Sequence, residues 1–410
     1  MTDPRPGQTS GWRATWRRIW QPPARALERR SVERRVQFLE LFFDLVFVAL
    51  VAQLAHRLAE HPSWSGIGWF ALIFFAVWTS WLNGSIYHDA HGTDDLSIRI
   101  LTFTQMGTVA VMAAFVGDVP GEGAGGFAMA YGVNSAILAT MWFRTGYHDP
   151  AHRQASYPYA AAYAMAALAF AASSFISEPG IYWLWGVGLA FEVLAVLPVL
   201  RRRDRQVEGA LTTPSLIERF GLFVIIVLGE VVVGSVNGMA DQEPVTTQVL
   251  TVGVLGIAIA VALWWVYFDL ISHRPARVGR VQFVWGYLHL PLVIGIGATG
   301  AAVLATIEHV GEPLMDSVRW LLVGSVSLAL FSVVAIASTL VPRPESHQIQ
   351  QAAALATLFS ACAIPLVGFV SFGANGTLVL VGALLFAPVA LAIVVWAKSL
   401  RAEDVVSLDS

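Results

Sequence analysis

Charged residues are scarce in this sequence. Asp, Glu, Lys and Arg make up 13% of its 410 residues, whereas 56% are hydrophobic and the mean hydropathy is +0.63. A soluble globular protein carries about 25% charged residues, so this balance is typical of a polytopic membrane protein. The net charge is −3, and no basic cluster with stacking aromatics occurs beyond the N-terminal segment. Both features argue against nucleic-acid binding.

Cysteine is scarcer still, because Cys362 is the single cysteine of the sequence. This excludes a disulfide framework and a multi-cysteine metal site, and we expect the residue to be a small buried hydrophobe. The first thirty residues lack an apolar core and an A-x-A-like site, so no cleavable signal peptide is expected. The sequence also lacks a cofactor fingerprint and a nucleophile with a partnering base, so we expect neither a cofactor nor an enzyme.

Long apolar runs occupy most of the chain. Runs of about 20 residues are long enough to cross a hydrocarbon core about 30 Å thick. They lie at residues 37–57, 65–87, 98–117, 126–146, 159–176, 181–200, 216–238, 247–270, 281–306, 317–341, 350–370 and 375–398. We therefore predict an all-α polytopic membrane protein with about twelve transmembrane helices.

Positive charge is distributed unevenly among the segments that connect these runs. If the N-terminus is cytoplasmic, all but two of the 25 Lys and Arg residues fall on the cytoplasmic side or at its edge, the exceptions being Arg57 and Arg319. Adding or removing one span in the middle of the chain would move every later loop to the other side. The distribution therefore predicts that both termini are cytoplasmic.

The two halves of the chain repeat each other. Three pairs share an offset of 186 residues: Trp78 with Trp264, Trp81 with Tyr267, and Asn83 with Asp269. Six helices per unit is an even number, so the halves would have the same orientation about an axis along the membrane normal. We predict a basic cytoplasmic N-terminal segment at 1–35, a first six-helix repeat at 36–200, a cytoplasmic linker at 201–215, a second repeat at 216–400 and a cytoplasmic tail at 401–410.

The N-terminal segment carries a pattern of its own. Trp12, Trp16 and Trp20 recur at helical spacing beside several arginines. This is typical of a short amphipathic helix on the surface of a membrane that contains anionic lipids. The alternative is a disordered basic tail.

Polar residues inside the apolar runs form the candidate ion or substrate pathway: Glu40, Asp44, Asn83, Glu230, Asp269 and His289. At a rise of 1.5 Å per residue, Asp44, Glu230 and His289 lie about 12–15 Å into their helices. An unpaired charge at the bilayer centre costs about 2.5–3.5 kcal/mol. We therefore predict that Glu40, Asp44, Glu230 and His289 share one cluster, in which the imidazole exchanges protons or pairs with the acids.

The alternative is that these groups only tie helices together. The candidate charge partners of Glu40 are then Arg34, Arg35 and Arg219. Glu192 stands alone in its helix, and we interpret it as a packing residue. Several His and Asp residues of the predicted inner loops either form a cation-attracting mouth or are simply solvated: His88, Asp89, His91, His148, Asp149, His152 and His273.

A GxGxxG pattern at Gly295, Gly297 and Gly300 lies inside an apolar run. It has no preceding strand and no acidic residue on a βαβ unit, so a dinucleotide site is not expected. Small residues in a membrane helix usually allow close packing against a neighbouring helix, and we expect that role here.

The segment Glu40-Leu-Phe-Phe-Asp44-Leu-Val-Phe-Val48, preceded by Val32-Glu33-Arg34, resembles the opening signature of the bacterial low temperature requirement A (LtrA) family. Glu218-Arg219-Phe220, Leu228-Gly229-Glu230, the segment 264–269 and Tyr287-Leu-His289 are similar to its later landmarks. The resemblance covers roughly residues 32–400. It implies a multi-pass protein of the bacterial inner membrane, named for growth at low temperature and without a settled molecular activity.

A second resemblance concerns the start of each half. Arg34 with Phe38, and Arg219 with Phe223, are similar to the Arg and Phe positions of the RxxxFSD motif of lysosomal-type potassium channels. Those channels are built from two six-helix repeats. The Ser and Asp of the motif are absent here, so the similarity supports the two-repeat architecture and not a shared conduction mechanism.

Two functional hypotheses follow. The first is a transporter or channel for a cation or a proton-coupled small solute, with the buried acidic and histidine residues as its pathway. The second is a non-transporting membrane factor for low-temperature or envelope adaptation, in which the buried charges are structural. An intramembrane enzyme acting on a lipid-linked substrate has no supporting motif. The sequence leaves open the substrate, and whether the chain forms a homo-oligomer.

Overall fold

The computed structural model describes residues 23, 36–91, 96–195, 213–271, 274–277, 281–342 and 347–408. Within these ranges the chain forms twelve helices and no strand, apart from one isolated bridge between Ala276 and Leu340. The all-α prediction is therefore confirmed. The predicted interfacial helix at 12–20, both arginines at 34 and 35, His273 and most of the predicted linker lie outside the described ranges.

The twelve helices follow one another in the chain. They are α1 (Phe38–Glu60), α2 (Trp64–His91), α3 (Leu96–Val116), α4 (Gly123–His148), α5 (Arg153–Ser173), α6 (Gly180–Leu194), α7 (Pro214–Ala240), α8 (Thr247–Ile271), α9 (Val281–Glu308), α10 (Asp316–Ser338), α11 (His347–Val367) and α12 (Ala374–Leu408).

Eight helices in the described part of the chain are long and apolar enough to cross a membrane, judged by length and composition. They are α1, α2, α3, α8, α9 and α10, together with Gln348–Val367 of α11 and Ala374–Val394 of α12. Helix α6 is a shorter apolar helix. A multi-pass membrane protein is therefore supported, and the full set of twelve spans stays a prediction.

The helices group into two compact units. Unit 1 contains the described residues up to Leu50 and those from Thr79 to Leu216, and unit 2 contains Val51–Trp78 and the described residues from Ile217 onward. The dividing points fall inside α1 and α2. The end of α1 and the start of α2 thus belong to unit 2. In the predicted division they belong to the first repeat, at 36–200.

In unit 1, consecutive helices pack side by side. Helix α3 contacts α4, α4 contacts α5, and α5 contacts α6. Large aromatic side chains fill the core: the ring centroids of Tyr131 and Phe170 are 4.1 Å apart. A Cβ atom at Gly132 would lie 3.1 Å from the carbonyl oxygen of Ala167. The missing side chain thus allows α4 to lie directly against α5.

In unit 2, the last four helices pack in the same consecutive order. Helix α9 contacts α10, α10 contacts α11, and α11 contacts α12, while α8 contacts all four. A Cβ atom at Gly295 would lie 2.8 Å from the backbone oxygen of Ser325, and one at Gly297 would lie 3.1 Å from the Phe70 ring. The packing role expected for the GxGxxG pattern is confirmed.

Proline inside α12 shows how a broken helical hydrogen bond is compensated. Pro388 has no N–H, so the carbonyl of Leu384, four residues earlier, loses its helical donor. The Ser360 hydroxyl of α11 donates to that carbonyl at 2.6 Å.

The same helix α11 carries Cys362 with an exposed side chain. The expected burial of this thiol is wrong, because its position on α11 faces away from the core.

Candidate functional site

Glu230 is the candidate residue whose surroundings suggest a binding group. It lies in α7 about 15 Å from the Ala240 end, and it is 7% exposed. Its Oε1 atom is 3.9 Å from the position that a Cβ atom would take at Gly234, one turn further along the helix. The carboxylate therefore points toward the Ala240 end, and glycine leaves room for it. No hydrogen bond to Glu230 is formed by any residue that the structure describes, and its charge interacts with His56 of α1.

His56 belongs to a cluster of ionisable groups at the ends of three helices of unit 2, which we call the vestibule. Its Nε2 lies 3.4 Å from the Glu60 carboxylate, and both side chains are about half exposed. Glu308, the last residue of α9, interacts electrostatically with several of its neighbours: His56, Glu60, Asp241 and His309. The vestibule therefore joins the α1, α7 and α9 ends to the Glu230 carboxylate.

The electrostatics of the vestibule favour cations. It contains three carboxylates, those of Glu60, Asp241 and Glu308, and two imidazoles, those of His56 and His309. The described part of the vestibule is formed by the C-terminal ends of α1, α7 and α9, and a helix C-terminus carries a partial negative charge. Helices α7 and α9 also pack closely near these ends, because a Cβ atom at Gly238 of α7 would lie 2.9 Å from the Leu304 side chain of α9.

Asp44 of α1 has a specific donor. The Trp81 indole N–H of α2 donates to its Oδ1 at 2.8 Å, and the exposed fractions of these side chains are 1% and 0%. Both residues belong to unit 1. The sequence pattern identified Asp44 and Trp81 separately, and the structure joins them in one buried hydrogen bond.

Glu40 of α1 stabilises the start of its helix. The backbone N–H of Gln37, which precedes α1, donates to Glu40 Oε2 at 3.1 Å. A glutamate at the third helical position that accepts this bond forms half of a capping box. Arg219, one of its three candidate charge partners, is buried in α7. The other two lie outside the described ranges, so the predicted salt bridge to Glu40 stays a prediction.

His289 of α9 is enclosed by aromatic rings. Its ring centroid lies 4.6 Å from that of Phe220 and 4.7 Å from that of Trp285. Nδ1 donates to the Trp285 carbonyl at 2.9 Å, and Nε2 lies 3.2 Å from the Tyr267 hydroxyl. Both nitrogens thus have partners, and no hydrogen bond or ring contact joins His289 to Glu230 in the described part of unit 2.

The remaining two candidates lie near helix ends. Asn83 is buried in the second half of α2. Asp269 of α8 is exposed, and the Trp265 indole donates to its Oδ2 at 2.8 Å. Asp269 also borders a small, mainly apolar cleft between α8, α11 and α12. The cluster that was predicted to unite Glu40, Asp44, Glu230 and His289 stays a prediction, because these residues are divided between the two units.

The loop residues predicted as an inner mouth are partly fixed by contacts. Asp89 accepts hydrogen bonds from Thr213 and Ser215 at the start of α7, and His152 bonds Asp149 at 2.8 Å. Among the described residues, no group of three or more His, Cys, Asp or Glu side chains is arranged to hold a metal ion. These residues therefore act at least partly as helix connectors.

Sequence reasoning missed two sets of functional candidates. The vestibule residues were not identified from the sequence, although the i,i+4 spacing of His56 and Glu60 at a helix end is a usable signal. Glu192 was assigned to packing alone. The structure shows that its carboxylate, which is 2% exposed, accepts hydrogen bonds from the Tyr131 hydroxyl at 2.8 Å and the Ser135 hydroxyl at 2.9 Å.

The helical fold and these buried carboxylates define the class of the molecule. Eight described helices can span a membrane, and acidic side chains are buried in apolar helices of both units, an arrangement found in multi-pass membrane proteins. Residues 35–397 match the family model described as bacterial low temperature requirement A protein (LtrA). The chain belongs to this family.

A curated relative supports the assignment. An uncharacterized protein of Rhizobium meliloti (strain 1021) is 31% identical over 301 residues, which is 68% of this chain and 71% of the relative. Neither the family description nor this relative gives a molecular activity, so the function is argued from the geometry.

Proposed function

We propose that the chain is a transporter or channel that moves a cation, or a small solute coupled to protons, across the membrane. The observation that carries the proposal is the placement of Glu230. Its carboxylate is buried within α7, has no hydrogen-bond donor in the described part of the chain, and points toward the vestibule. A carboxylate in this position is suited to bind and release a cation or a proton.

The vestibule gives such a cation a route to Glu230. Like-signed charges at a mouth raise the local concentration of counter-ions, and Glu60, Asp241 and Glu308 provide three of them. His56 interacts electrostatically with Glu308 and with Glu230, and so connects the acids at the mouth with the buried carboxylate. A transported proton or monovalent cation could therefore pass from the vestibule to Glu230.

Three of the other predicted pathway residues have assignable structural roles. Glu40 begins α1, Asp44 holds α1 to α2 through Trp81, and His289 is fixed by Trp285 and Tyr267. These fixed contacts favour the second candidate function, a non-transporting factor for low-temperature or envelope adaptation. We propose transport because no comparable structural contact accounts for Glu230 in the described part of the chain.

The predicted topology completes the proposal. We propose a protein of the bacterial inner membrane with twelve spans, both termini cytoplasmic and the N-terminal segment on anionic lipids. In this orientation the vestibule faces the outside. The matching contact order of α3 to α6 and of α9 to α12 supports an internal repeat, and we propose two six-helix repeats. An assembly of several copies would be compatible with this arrangement.

Ion flux in proteoliposomes tests the proposal. The full-length protein is reconstituted and fluxes of H⁺, Na⁺ and K⁺ are followed with fluorescent indicators against empty liposomes. We expect a flux that falls several-fold in Glu230→Gln and in Gly234→Leu, whose side chain would fill the space beside the carboxylate. Glu243→Gln, an exposed carboxylate of the α7–α8 connection, is the matched control and should retain the flux.

Two results would contradict the proposal. A wild-type protein that carries none of the three ions above the empty-liposome level would favour the non-transporting factor. A flux that is the same in wild type and Glu230→Gln would show that this carboxylate is not in the route. Under the second candidate function, Glu230→Gln alters thermal stability in detergent and nothing else.

A further inference from the structure

Unit 1 contains a buried polar stripe that neither the family description nor the proposed transport site uses. Three positions of α2, Ser80, Gly84 and His88, recur every four residues and share one helix face. Three positions of α3, Thr102, Gln105 and Thr108, recur every three residues and also share a face. The side chains of these six positions, glycine aside, are polar and buried, which is unusual for neighbouring membrane helices.

Hydrogen bonds connect the two faces at both ends. At one end, the Asn134 amide of α4 donates to Ser80 Oγ at 2.7 Å and accepts from Thr108 Oγ1 at 3.1 Å. At the other end, Thr102 Oγ1 lies 3.4 Å from His88 Nε2. Ser80 and His88 are eight residues apart, so the stripe is about 12 Å long and ends one turn before the His91 end of α2.

Gln105 lies in the middle of the stripe and has unused hydrogen-bonding capacity. It is 0% exposed, and neither its amide nitrogen nor its amide oxygen has a partner among the described residues. Its Nε2 lies 3.9 Å from the position that a Cβ atom would take at Gly84, so the amide points into the stripe. A buried amide with both a donor and an acceptor to satisfy is suited to bind water.

The Glu192 carboxylate is held by α4, the helix whose Asn134 closes the far end of the stripe. Ser135, the neighbour of Asn134 on α4, donates to Glu192 Oε1 at 2.9 Å, and Tyr131 donates to Oε2 at 2.8 Å. Among the described residues, the titratable group that contacts Glu192 is Tyr131 of α4, and Tyr163 of α5 interacts electrostatically with Tyr131. No basic side chain forms an ion pair with Glu192 in the described part of unit 1.

We propose that the stripe is a proton-access path that leads from the His91 end of α2 to Glu192, which is a second proton-binding site of the protein. A hydronium ion of the aqueous phase gives up a proton, water returns to that phase, and an O–H bond forms at a carboxylate oxygen of Glu192. His88 and the hydroxyl groups accept and donate protons along the way, and Gln105 holds the water that bridges Thr102 and Thr108. This inference does not require transport through Glu230.

Infrared spectroscopy of the reconstituted full-length protein tests the proposal. The carboxylic C=O band of Glu192 is identified at acidic pH as the band that Glu192→Gln removes. On transfer from H₂O to D₂O, we expect this band to shift quickly in the wild type and several-fold more slowly in Gln105→Leu. The matched control is Gln282→Leu, since Gln282 is also a buried glutamine but belongs to unit 2.

Each outcome bears on the proposal. If Glu192→Gln removes no carboxylic band at any pH at which the protein stays folded, Glu192 binds no proton. Equal exchange rates in wild type and Gln105→Leu would show that the stripe is not the route. If Gln105→Leu elutes as an aggregate in gel filtration, Thr102→Val replaces it, with the same expected slowing. Glu230→Gln should leave the Glu192 band unchanged, which separates this result from the test of transport.

Discussion

At the scale of residues, the position of a carboxylate in an apolar helix does not reveal its role. Asp44, Glu192 and Glu230 all interrupt apolar runs. The structure gives Asp44 an indole donor and Glu192 two hydroxyl donors, whereas Glu230 has no donor among the described residues and its charge interacts with His56. A buried charge is stabilised by hydrogen bonds or remains available to a mobile ion, so the lack of a donor among the described residues marks Glu230 as the candidate cation-binding acid, whereas Glu192 with its two donors is proposed to bind a proton.

The Asp44–Trp81 hydrogen bond gives a prediction at this scale. Trp81→Phe keeps most of the ring volume but removes the N–H donor, so a buried carboxylate oxygen loses its partner. We expect a loss of about 1–3 kcal/mol in the free energy of unfolding, measured by thermal or denaturant unfolding in detergent.

A matched pair provides the control for this measurement. Trp265→Phe removes an indole donor from Asp269 over the same 2.8 Å distance, but there the pair is exposed. Trp265→Phe should therefore lower the free energy of unfolding by clearly less than Trp81→Phe does. Equal losses for the two variants would mean that burial does not set the strength of the Asp44 bond.

At the scale of elements, small residues determine how closely helices approach. Gly295 of α9 faces the backbone of α10, where an added Cβ atom would lie 2.8 Å from both Ser325 oxygen and Ala329 nitrogen. Backbone atoms cannot rotate away as a flexible side chain can. The helices must therefore separate to accommodate even a methyl group.

Gly295→Ala is accordingly expected to destabilise unit 2. Overpacking of this kind costs about 1–3 kcal/mol, which a lower midpoint of thermal unfolding would report. Gly324→Ala, in α10 with nothing within 4 Å of its added Cβ atom, should be neutral or slightly stabilising because alanine favours the helix. A stability for Gly295→Ala equal to that of wild type would contradict the close approach of α9 and α10.

At the scale of the whole molecule, the central question is which loops face outside. The charge distribution predicts that the α5–α6 connection is outside and the α4–α5 connection inside. In a Cys362→Ala background, Ser177→Cys should react with a membrane-impermeant maleimide added to intact cells. Ala151→Cys should react only after the membrane is made permeable, and both positions are exposed in the structure. The opposite labelling pattern would reverse the proposed orientation.

The sequence by itself determined the class and the family of this protein. Apolar runs of membrane-spanning length predicted a multi-pass helical protein, because an apolar helix satisfies its backbone polar groups without water. The segment around Glu40 and Asp44 identified the LtrA family, which the match over residues 35–397 confirmed. Even the GxGxxG pattern could be interpreted correctly, because its position inside an apolar run excluded a phosphate site.

Only the tertiary structure decided which polar groups meet. Helical spacing gives the face on which a residue lies, but not the neighbour that face touches, since contacts between distant helices depend on how their surfaces fit together. The bond between Asp44 and Trp81, the proximity of His56 to Glu230, and the Glu192 pocket all join residues from different helices. The exposed position of Cys362 was likewise decided by packing, because an apolar run in a membrane has a lipid-facing side as well as a buried one.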